Sequence, residues 1–300
     1  MAKIIVTGGA GFIGSNLTDK LIEKNHEVLV IDNLSGGKRE HVHPKAVLHE
    51  VDITDLDTIK PLFAGVDYVF HLAALPRVQF SIEYPKETND ANVLGTFNVL
   101  LSAKEAGVKK VIYSASSSAY GDQDEMPLHE GMSANPKSPY GLQKYIGEMY
   151  CKVFSDVFGL PTVCLRYFNV YGPRQSEEGD YALVIAKFLK QKREGKSLTI
   201  TGDGEQTRDF TSVHDVVRAN ILAMEKEIVG GEIFNIGAGN NHSVKKVAEF
   251  VGGEVQYLPA RFEPRHTLAD NKKAKKHLDW TPEVYLEEGI AELKKLLNLD

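Results

Sequence analysis

Tyr140 and Lys144 stand four residues apart in the segment Ser138-Pro-Tyr-Gly-Leu-Gln-Lys144, where the pattern predicts the start of a helix. Four residues make about one helical turn, a rise of roughly 6 Å, so the two side chains share a face. A tyrosine phenol, with a pKa of about 10, is a poor base at neutral pH, but a nearby ammonium group favours the phenolate. The pair can therefore act in proton transfer, although an amphipathic helix with a buried tyrosine and a solvated lysine shows the same spacing.

Three serine hydroxyls precede this pair, just after a predicted strand over 108–114. They belong to Ser116, Ser117 and Ser118. Ligands of open α/β sheets bind at the carboxyl ends of the strands, so these hydroxyls are expected to face the ligand crevice. Serines at a strand end also form ordinary turn hydrogen bonds, so the cluster by itself does not identify a site.

A glycine-rich loop, Thr7-Gly-Gly-Ala-Gly-Phe-Ile-Gly14, joins the first predicted strand to the first predicted helix. Gly8 permits a tight turn, and Gly11 lets a pyrophosphate approach the backbone at the helix N-terminus. Gly14 allows the helix to pack closely on the strand. Because structural turns also use glycine, the loop indicates a binding site only together with a carboxylate at the end of the second strand.

Asp32 ends the second predicted strand, 18 residues after Gly14. A carboxylate at this place accepts hydrogen bonds from both ribose hydroxyls and repels a 2′-phosphate, which favours NAD over NADP. A strand-terminal aspartate that only caps a loop is the alternative, and Lys38 and Arg39 leave some tolerance of NADP open. Glycine loop, Asp32, serine cluster and tyrosine–lysine pair, in this order, predict a dinucleotide-binding enzyme.

The elements that position these residues alternate between strand and helix through residue 169. This alternation predicts the α/β class, with a Rossmann-like doubly wound parallel sheet. The predicted strands are 3–7, 28–32, 46–53, 66–72, 108–114 and 161–169, and the predicted helices lie near 13–24, 54–63, 92–105 and 138–158, with Thr54 as a cap. Residues 1–169 form the first predicted domain and 170–300 a smaller α/β lobe, with segments near 208–236 expected to return to the first domain.

Composition limits the class of protein. The chain has 300 residues, a net charge of −6 and 42% hydrophobic residues, the values of an ordinary globular protein without a basic nucleic-acid-binding face. Cys151 and Cys164 cannot build a disulfide framework or a cysteine-rich zinc site, and the ten histidines show no ligand spacing, so no metal is expected. No apolar run approaches 18 residues and no signal-peptide pattern precedes the first strand, so we expect a cytoplasmic protein that does not span a membrane.

With these motifs the chain resembles the extended short-chain dehydrogenase/reductase family over essentially its whole length. Within that family it is similar to the nucleotide-sugar 4-epimerases of UDP-glucose and UDP-N-acetylglucosamine. The matching stretches are Thr7–Gly14, His71–Ala74, Asn92–Thr96, Ser116–Gly121, Tyr140–Lys144, Leu165–Asn169 and Arg208–Phe210. The resemblance implies NAD-dependent inversion at sugar C4 through a transient 4-keto sugar, a nucleotide-sugar-binding lobe over 170–300, and a homodimer formed through the helices near 92–105 and 138–158.

The same resemblance implies roles for individual residues. Tyr140 and Ser116 would contact the sugar 4-hydroxyl, with Ser117 as the rival serine, and Lys144 would bind the nicotinamide ribose and lower the pKa of Tyr140. The implied NAD-binding residues are Gly8, Gly11, Phe12, Ile13, Gly14, Asp32, Asn33, Ser35, Gly36, Asp52, Ile53, Leu72, Ala73, Ala74, Asn92, Tyr140, Lys144 and Phe168. The implied substrate-binding residues are Ser116, Ser117, Asn169, Val184, Arg208, Arg261, Glu263 and Thr267.

The choice among related chemistries depends on two positions. Nucleotide-sugar dehydratases carry an Asp-Glu pair, and decarboxylases a Glu, where this chain has Ser117-Ser118-Ala119, so the resemblance favours epimerisation. Thr267 falls at the family's gate beside the sugar, where a small residue admits N-acetylated hexoses and a tyrosine does not. A UDP-glucuronate 4-epimerase, with Arg77 as the candidate cation, and a non-catalytic NAD-binding protein of the same fold are the alternatives.

Overall fold

Short apolar segments rich in β-branched residues form the strands, as their composition indicates. The computed structural model describes residues 1–177, 183–228, 230–260 and 265–299. Within these ranges the strands are β1 (Lys3–Thr7), β2 (Glu27–Ile31), β3 (Val47–His49), β4 (Tyr68–His71), β5 (Lys110–Ser116), β6 (Thr162–Tyr167), β7 (Val170–Tyr171), β8 (Leu198–Thr201), β9 (Thr207–Asp209), β10 (Thr211–Ser212), β11 (Glu232–Ile236), β12 (Asn241–Ser243) and β13 (Val255–Leu258).

Helices connect most of these strands. They are α1 (Phe12–Glu23), α2 (Leu56–Ile59), α3 (Val78–Glu83), α4 (Pro85–Asn89), α5 (Gly95–Ala106), α6 (Pro139–Phe158), α7 (Val184–Arg193), α8 (Val213–Glu225), α9 (Val244–Val251), α10 (Lys272–Leu278) and α11 (Leu286–Leu296). Short 3₁₀ turns lie at Arg39–His41, Lys60–Phe63 and Ser117–Ala119, and a π-helical segment, Asp90–Leu94, leads into α5. Among the described residues, no helix is both long and apolar enough to cross a membrane.

The segment from 46 to 63 differs from its prediction. The strand predicted over 46–53 forms only as β3, and Asp52 accepts the Thr54 N–H in a turn at 2.8 Å. Asp55, rather than Thr54, caps α2, because its carboxylate accepts the Thr58 N–H at 3.1 Å. Pro61 lies in the 3₁₀ turn after α2, where the missing proline N–H prevents the continuous α-helix that the pattern predicted.

The central sheet has the strand order β3-β2-β1-β4-β5-β6-β11, and all its neighbours pair in parallel. The winding direction reverses between β1 and β4, which is the arrangement of a doubly wound sheet and confirms the predicted fold class. β11 comes from the second half of the chain and pairs with β6, in the region expected to return to the first domain. The domain boundary at residue 169 stays a prediction.

Alternating residues of the strands divide the core into two layers. Ile4 and Val6 of β1 pack with buried residues of α1 and α8 such as Leu17 and Val216. Ile5, between them in sequence, points to the opposite face and packs with residues of α5 and α6. A third cluster, formed by α7, α9, α11 and β8, gives the second lobe its own core. The sheet is therefore covered on both faces, and its carboxyl edge is the place where strand-terminal side chains can meet a ligand.

Candidate active site

The glycine loop lies against the chain that leaves β4. Gly8 has a φ of +71°, and a Cβ at this position would come within 2.7 Å of the Ala73 nitrogen. Gly14, in the first turn of α1, has no room for a side chain either, because a Cβ would lie 2.1 Å from the Gly8 carbonyl oxygen. Both glycines are therefore required by close backbone approach, and Gly8 also by its left-handed conformation.

The N-terminus of α1 is open to an anion. Gly11 is its N-cap, and within the described part of the chain no side chain caps this end and its first turn holds no acidic residue. The first N–H groups of a helix lack intrahelical partners, and the helix dipole adds partial positive charge there. The backbone at Phe12 and Ile13 thus forms a cradle that suits a diphosphate.

Asp32 connects the glycine loop to the end of β2. Its buried carboxylate accepts the Ala10 N–H at 3.0 Å with one oxygen and the Leu34 N–H at 2.8 Å with the other. Burial raises the pKa of Asp32, and these two hydrogen bonds oppose the rise. A carboxylate offers about four lone-pair sites, so acceptor capacity is left for two ribose hydroxyls.

Several of the other expected cofactor residues form one connected group beside Asp32. Asn33 donates to Asp52 at 2.7 Å and accepts from the Ser35 hydroxyl at 2.6 Å, with Gly36 next in the same turn. Ile53 is buried and its carbonyl oxygen accepts a hydrogen bond from Asn98 at 3.0 Å.

The backbone after β4 is held to the end of β1. The Leu72 N–H donates to the Thr7 carbonyl oxygen at 3.1 Å, and the Ala73 N–H donates to the Thr7 hydroxyl at 3.2 Å. Ala74 is the next residue and is half-buried. The structure thus brings the segments expected at the adenine and at the pyrophosphate to one edge of the sheet.

Tyr140 lies in the first turn of α6. The Ser138 hydroxyl caps this helix by accepting the Gly141 N–H at 3.1 Å, and the Tyr140 N–H donates to the Ser81 hydroxyl at 3.0 Å. The Tyr140 phenol hydrogen-bonds with the Ser116 side chain at the end of β5, while Ser117 already belongs to the next turn. Of the two rival serines, Ser116 is the one in contact with the phenol.

Lys144 lies one turn further along α6 and is buried. Its ammonium group donates to the Ser114 carbonyl oxygen at 2.8 Å and lies 5.0 Å from the centre of the Tyr113 ring. Burial lowers the pKa of Lys144 to about 8, and the negative charge of Glu148 partly opposes this effect.

The expected lowering of the Tyr140 pKa by Lys144 differs from what the protein alone provides. Burial raises the pKa of Tyr140, and the opposing contribution comes from the hydrogen bond with Ser116. The physical reason is desolvation, which penalises a phenolate in a closed site.

Two residues expected at the nicotinamide end are packed inside the protein. The Phe168 ring is fully buried in a small cluster with Tyr120, Leu128 and Ala269. The Asn92 side chain accepts the Leu75 N–H at 2.8 Å and donates to Gln143 at 2.8 Å. Both residues shape the wall of the site through these contacts.

The second lobe contributes residues from β9 and from the segment near 267. The Asn169 amide nitrogen lies 3.4 Å from the Thr267 hydroxyl, which brings the expected diphosphate residue next to the expected gate. Arg208 donates to the Thr207 carbonyl oxygen at 2.9 Å, and Val184 begins α7. Arg261 and Glu263 lie outside the described residues.

Residues 4–237 match the model of the NAD dependent epimerase/dehydratase family. The chain belongs to this family. A relative named putative UDP-glucose 4-epimerase, from Methanocaldococcus jannaschii, is 40% identical over 304 residues, covering 98% of this chain and 97% of the relative.

Solved structures agree with this relationship. The UDP-glucose 4-epimerase of Thermotoga maritima with UDP-glucose is 42% identical, with a TM-score of 0.93 and coverage of 98% of this chain and 99% of that one. The UDP-N-acetylglucosamine 4-epimerase of Methanobrevibacter ruminantium M1, in complex with UDP-N-acetylmuramic acid, is 37% identical, with a TM-score of 0.93 and the same coverage values of 98% and 99%. The chain is therefore an NAD-dependent epimerase of the UDP-sugar group, and the open cradle at α1 with the spare acceptors of Asp32 fits that cofactor. Among the described residues, no group of three or more His, Cys, Asp or Glu is placed to hold a metal ion.

Two structural features of the epimerase site were missed by sequence reasoning. Buried Asp209 accepts the N–H groups of Ala238, Gly239 and Ala269 at 2.7 to 3.0 Å, and burial raises its pKa to about 6. It therefore joins two loops beside Arg208, and its only signal was an acidic residue inside a strand pattern.

The second missed feature is a buried ion pair below Lys144. Arg166 of β6 donates to both carboxylate oxygens of Glu148, at 2.8 and 2.6 Å. Glu148 comes four residues after Lys144 on the predicted helix, which was the available signal.

The pKa of Lys144 predicts a pH dependence of the epimerase. Because its ammonium group loses a proton as the pH rises through about 8, we expect kcat to fall over that range. In Lys144→Arg the charge persists to much higher pH, so the slower variant should lack this decrease. Steady-state rates from pH 6 to 10 would measure it, and an unchanged alkaline decrease in Lys144→Arg would contradict this role.

Proposed function

We propose that this epimerase interconverts UDP-glucose with UDP-galactose, and UDP-N-acetylglucosamine with UDP-N-acetylgalactosamine, by inverting sugar C4 through a transient 4-keto sugar. The observation that carries the proposal is the hydrogen-bonded Ser116–Tyr140 pair, with Lys144 on the same helix, at the sheet edge that holds the glycine cradle. The chain has no carboxylate at Ser117, Ser118 or Ala119, so the acids that elimination or decarboxylation would need are missing from that segment.

Tyr140 acts as the general base on the sugar 4-hydroxyl. NAD, when bound, accepts a hydride from C4 and supplies it again to the opposite face. The Ser116 hydroxyl both accepts and donates hydrogen bonds, so it can pass the proton between the sugar and Tyr140. The Lys144 ammonium group favours the phenolate electrostatically, and the same acid–base pair returns the proton when the 4-hydroxyl is restored.

The second lobe keeps the nucleotide in place while the sugar turns. Arg208 suits a diphosphate, because a guanidinium group donates to two phosphate oxygens at once. Asn169 and Val184 line the same side, with Arg261 and Glu263 assigned to the diphosphate and the uridine ribose. Holding the nucleotide leaves the hexose free to present either face.

The first test is an assay with UDP-galactose and the purified protein carrying NAD, without added reductant. We expect UDP-glucose to form, and Tyr140→Phe to lose about 100-fold or more of the rate, the usual contribution of a general base. Lack of interconversion of UDP-galactose and the N-acetyl sugars would overturn the proposal. Turnover confined to UDP-glucuronate would establish the acidic-sugar alternative instead.

Thr267 sets the size of the accepted sugar. Replacing it by tyrosine should abolish turnover of UDP-N-acetylglucosamine and spare UDP-glucose, because the larger ring occupies the space that the acetamido group needs. Measuring kcat/KM for both sugars checks this.

The matched control is Thr267→Val, which keeps the size of the side chain. The Thr267 hydroxyl accepts the Asp209 N–H at 3.3 Å, and valine loses this hydrogen bond without adding bulk. We expect Thr267→Val to retain N-acetyl turnover. Equal losses for both sugars in Thr267→Tyr would refute the gate.

We also propose that α6 forms a dimer interface with a second copy of the chain, together with the helix near 92–105. Leu142, Met149, Val153 and Val157 lie at spacings of seven and four residues on α6 and are 37% to 67% exposed. Such a continuous apolar stripe on a long helix is typical of a helix-pairing surface.

A charge within this stripe should separate the copies. We expect Val153→Glu to sediment at half the mass of the wild type, because two buried glutamates would face each other across the axis. Val255→Glu, an equally simple change at an exposed valine of β13, should keep the wild-type mass. A monomeric wild type, or a dimeric Val153→Glu variant, would contradict this interface.

A further inference from the structure

A buried chain of hydrogen bonds links the glycine loop to the catalytic helix, and the proposed reaction does not use it. The Thr7 hydroxyl lies 2.7 Å from His71 Nδ1, and His71 Nε2 lies 2.9 Å from the Thr96 hydroxyl. The Thr96 hydroxyl in turn donates to the Asn92 carbonyl oxygen at 2.7 Å. All four residues are at most 1% exposed, so water does not compete for these hydrogen bonds.

Donor and acceptor roles in this chain of hydrogen bonds have one consistent arrangement. The Asn92 carbonyl oxygen can only accept, so Thr96 uses its single hydroxyl hydrogen there and must accept from His71 Nε2–H. Neutral His71 then has an unprotonated Nδ1, which accepts from the Thr7 hydroxyl. The Thr7 oxygen keeps a lone pair for the Ala73 N–H at 3.2 Å. His71 is therefore the neutral Nε2–H tautomer.

The electrostatic surroundings keep His71 neutral. Burial lowers its pKa to about 3, and the positive charge of Lys144 acts in the same direction. The Tyr113 ring, 5.6 Å away between centres, closes another side. A charged imidazole here would repel the Lys144 ammonium, so the site gains a rigid, uncharged connector across the neutral pH range.

The connector reaches both halves of the reaction site. At one end Thr7 precedes Gly8 and binds the Ala73 N–H, so it fixes the backbone that approaches the pyrophosphate. At the other end Asn92 binds both backbone groups of Leu75 and donates to Gln143, the residue next to Lys144 on α6.

We propose that His71 is a positioning residue, which fixes the cofactor-binding loop relative to Tyr140 and Lys144 through Thr7, Thr96 and Asn92. This inference rests on the proposed function for its kinetic readout only. Reacting groups must be held to within a fraction of an ångström for efficient transfer, so a loosened connector should slow the chemical step and leave UDP-sugar affinity unchanged.

The test compares two threonine-to-valine variants of equal burial. Thr96→Val removes the acceptor for His71 Nε2–H and the donor to Asn92. Thr162→Val removes a single buried hydrogen bond, from the Thr162 hydroxyl to the Cys151 carbonyl oxygen at 2.8 Å, further along α6. Thr96→Ser restores the hydroxyl and serves as the conservative rescue.

We expect all three variants to fold and the two valine variants to lose similar thermal stability. Thr96→Val alone should lose about tenfold in kcat with an unchanged KM, and Thr96→Ser should recover most of that loss. Equal kinetics in Thr96→Val and Thr162→Val would show that the connector is only part of the core and would overturn the proposal.

Two further readouts do not depend on turnover. The ¹⁵N shifts of His71, assigned by comparison with His71→Gln, should report a neutral Nε2–H tautomer from pH 5 to 8, and a protonated ring or the other tautomer would refute the assignment. NAD should lower the pKa of Tyr140, measured by phenolate absorbance against Tyr140→Phe, and this decrease should shrink in Thr96→Val but persist in Thr162→Val. If no UDP-hexose is turned over, the proposed function fails, whereas these two measurements still decide the role of His71.

Discussion

The site depends on the close approach of two backbones, that of the glycine loop and that of the chain leaving β4. Gly8 lies so near Ala73 that a Cβ would come within 2.7 Å of its nitrogen, and the left-handed φ of Gly8 turns the loop toward α1. This contact places the open N-terminus of α1 at the point where the winding of the sheet reverses. The side chains that come after β2, β4 and β5 then meet at the same edge, which is where a dinucleotide and a sugar can lie together.

Charge in this edge is balanced below the reacting groups. The Glu148–Arg166 pair is almost fully buried, and the Glu148 charge partly opposes the lowering of the Lys144 pKa by burial. Burial also raises the pKa of Tyr140, so the protein alone favours the phenol. A cationic nicotinamide nearby favours the phenolate, which connects base activation to cofactor binding.

Local patterns predicted the parts of the site that depend on neighbouring residues in sequence. The spacing of Tyr140 and Lys144, the glycine loop and Asp32 all lie where the alternation of strands and helices predicts. Contacts between distant segments were not predictable: Ser81 accepts the Tyr140 N–H across 59 residues, and Asp209 joins loops 29 to 60 residues away. A pattern in one segment carries no information about which distant backbone N–H groups a buried carboxylate will bind.

In the proposed reaction, hydrogen leaves C4 and returns to C4 within one active site. The most direct measurement uses UDP-glucose carrying deuterium at C4 and follows the label in the UDP-galactose that forms. We expect the label to stay at C4, with inverted configuration and no exchange with solvent. Loss of deuterium to water during epimerisation would mean that C4 is inverted by proton abstraction, and would contradict hydride transfer to and from NAD.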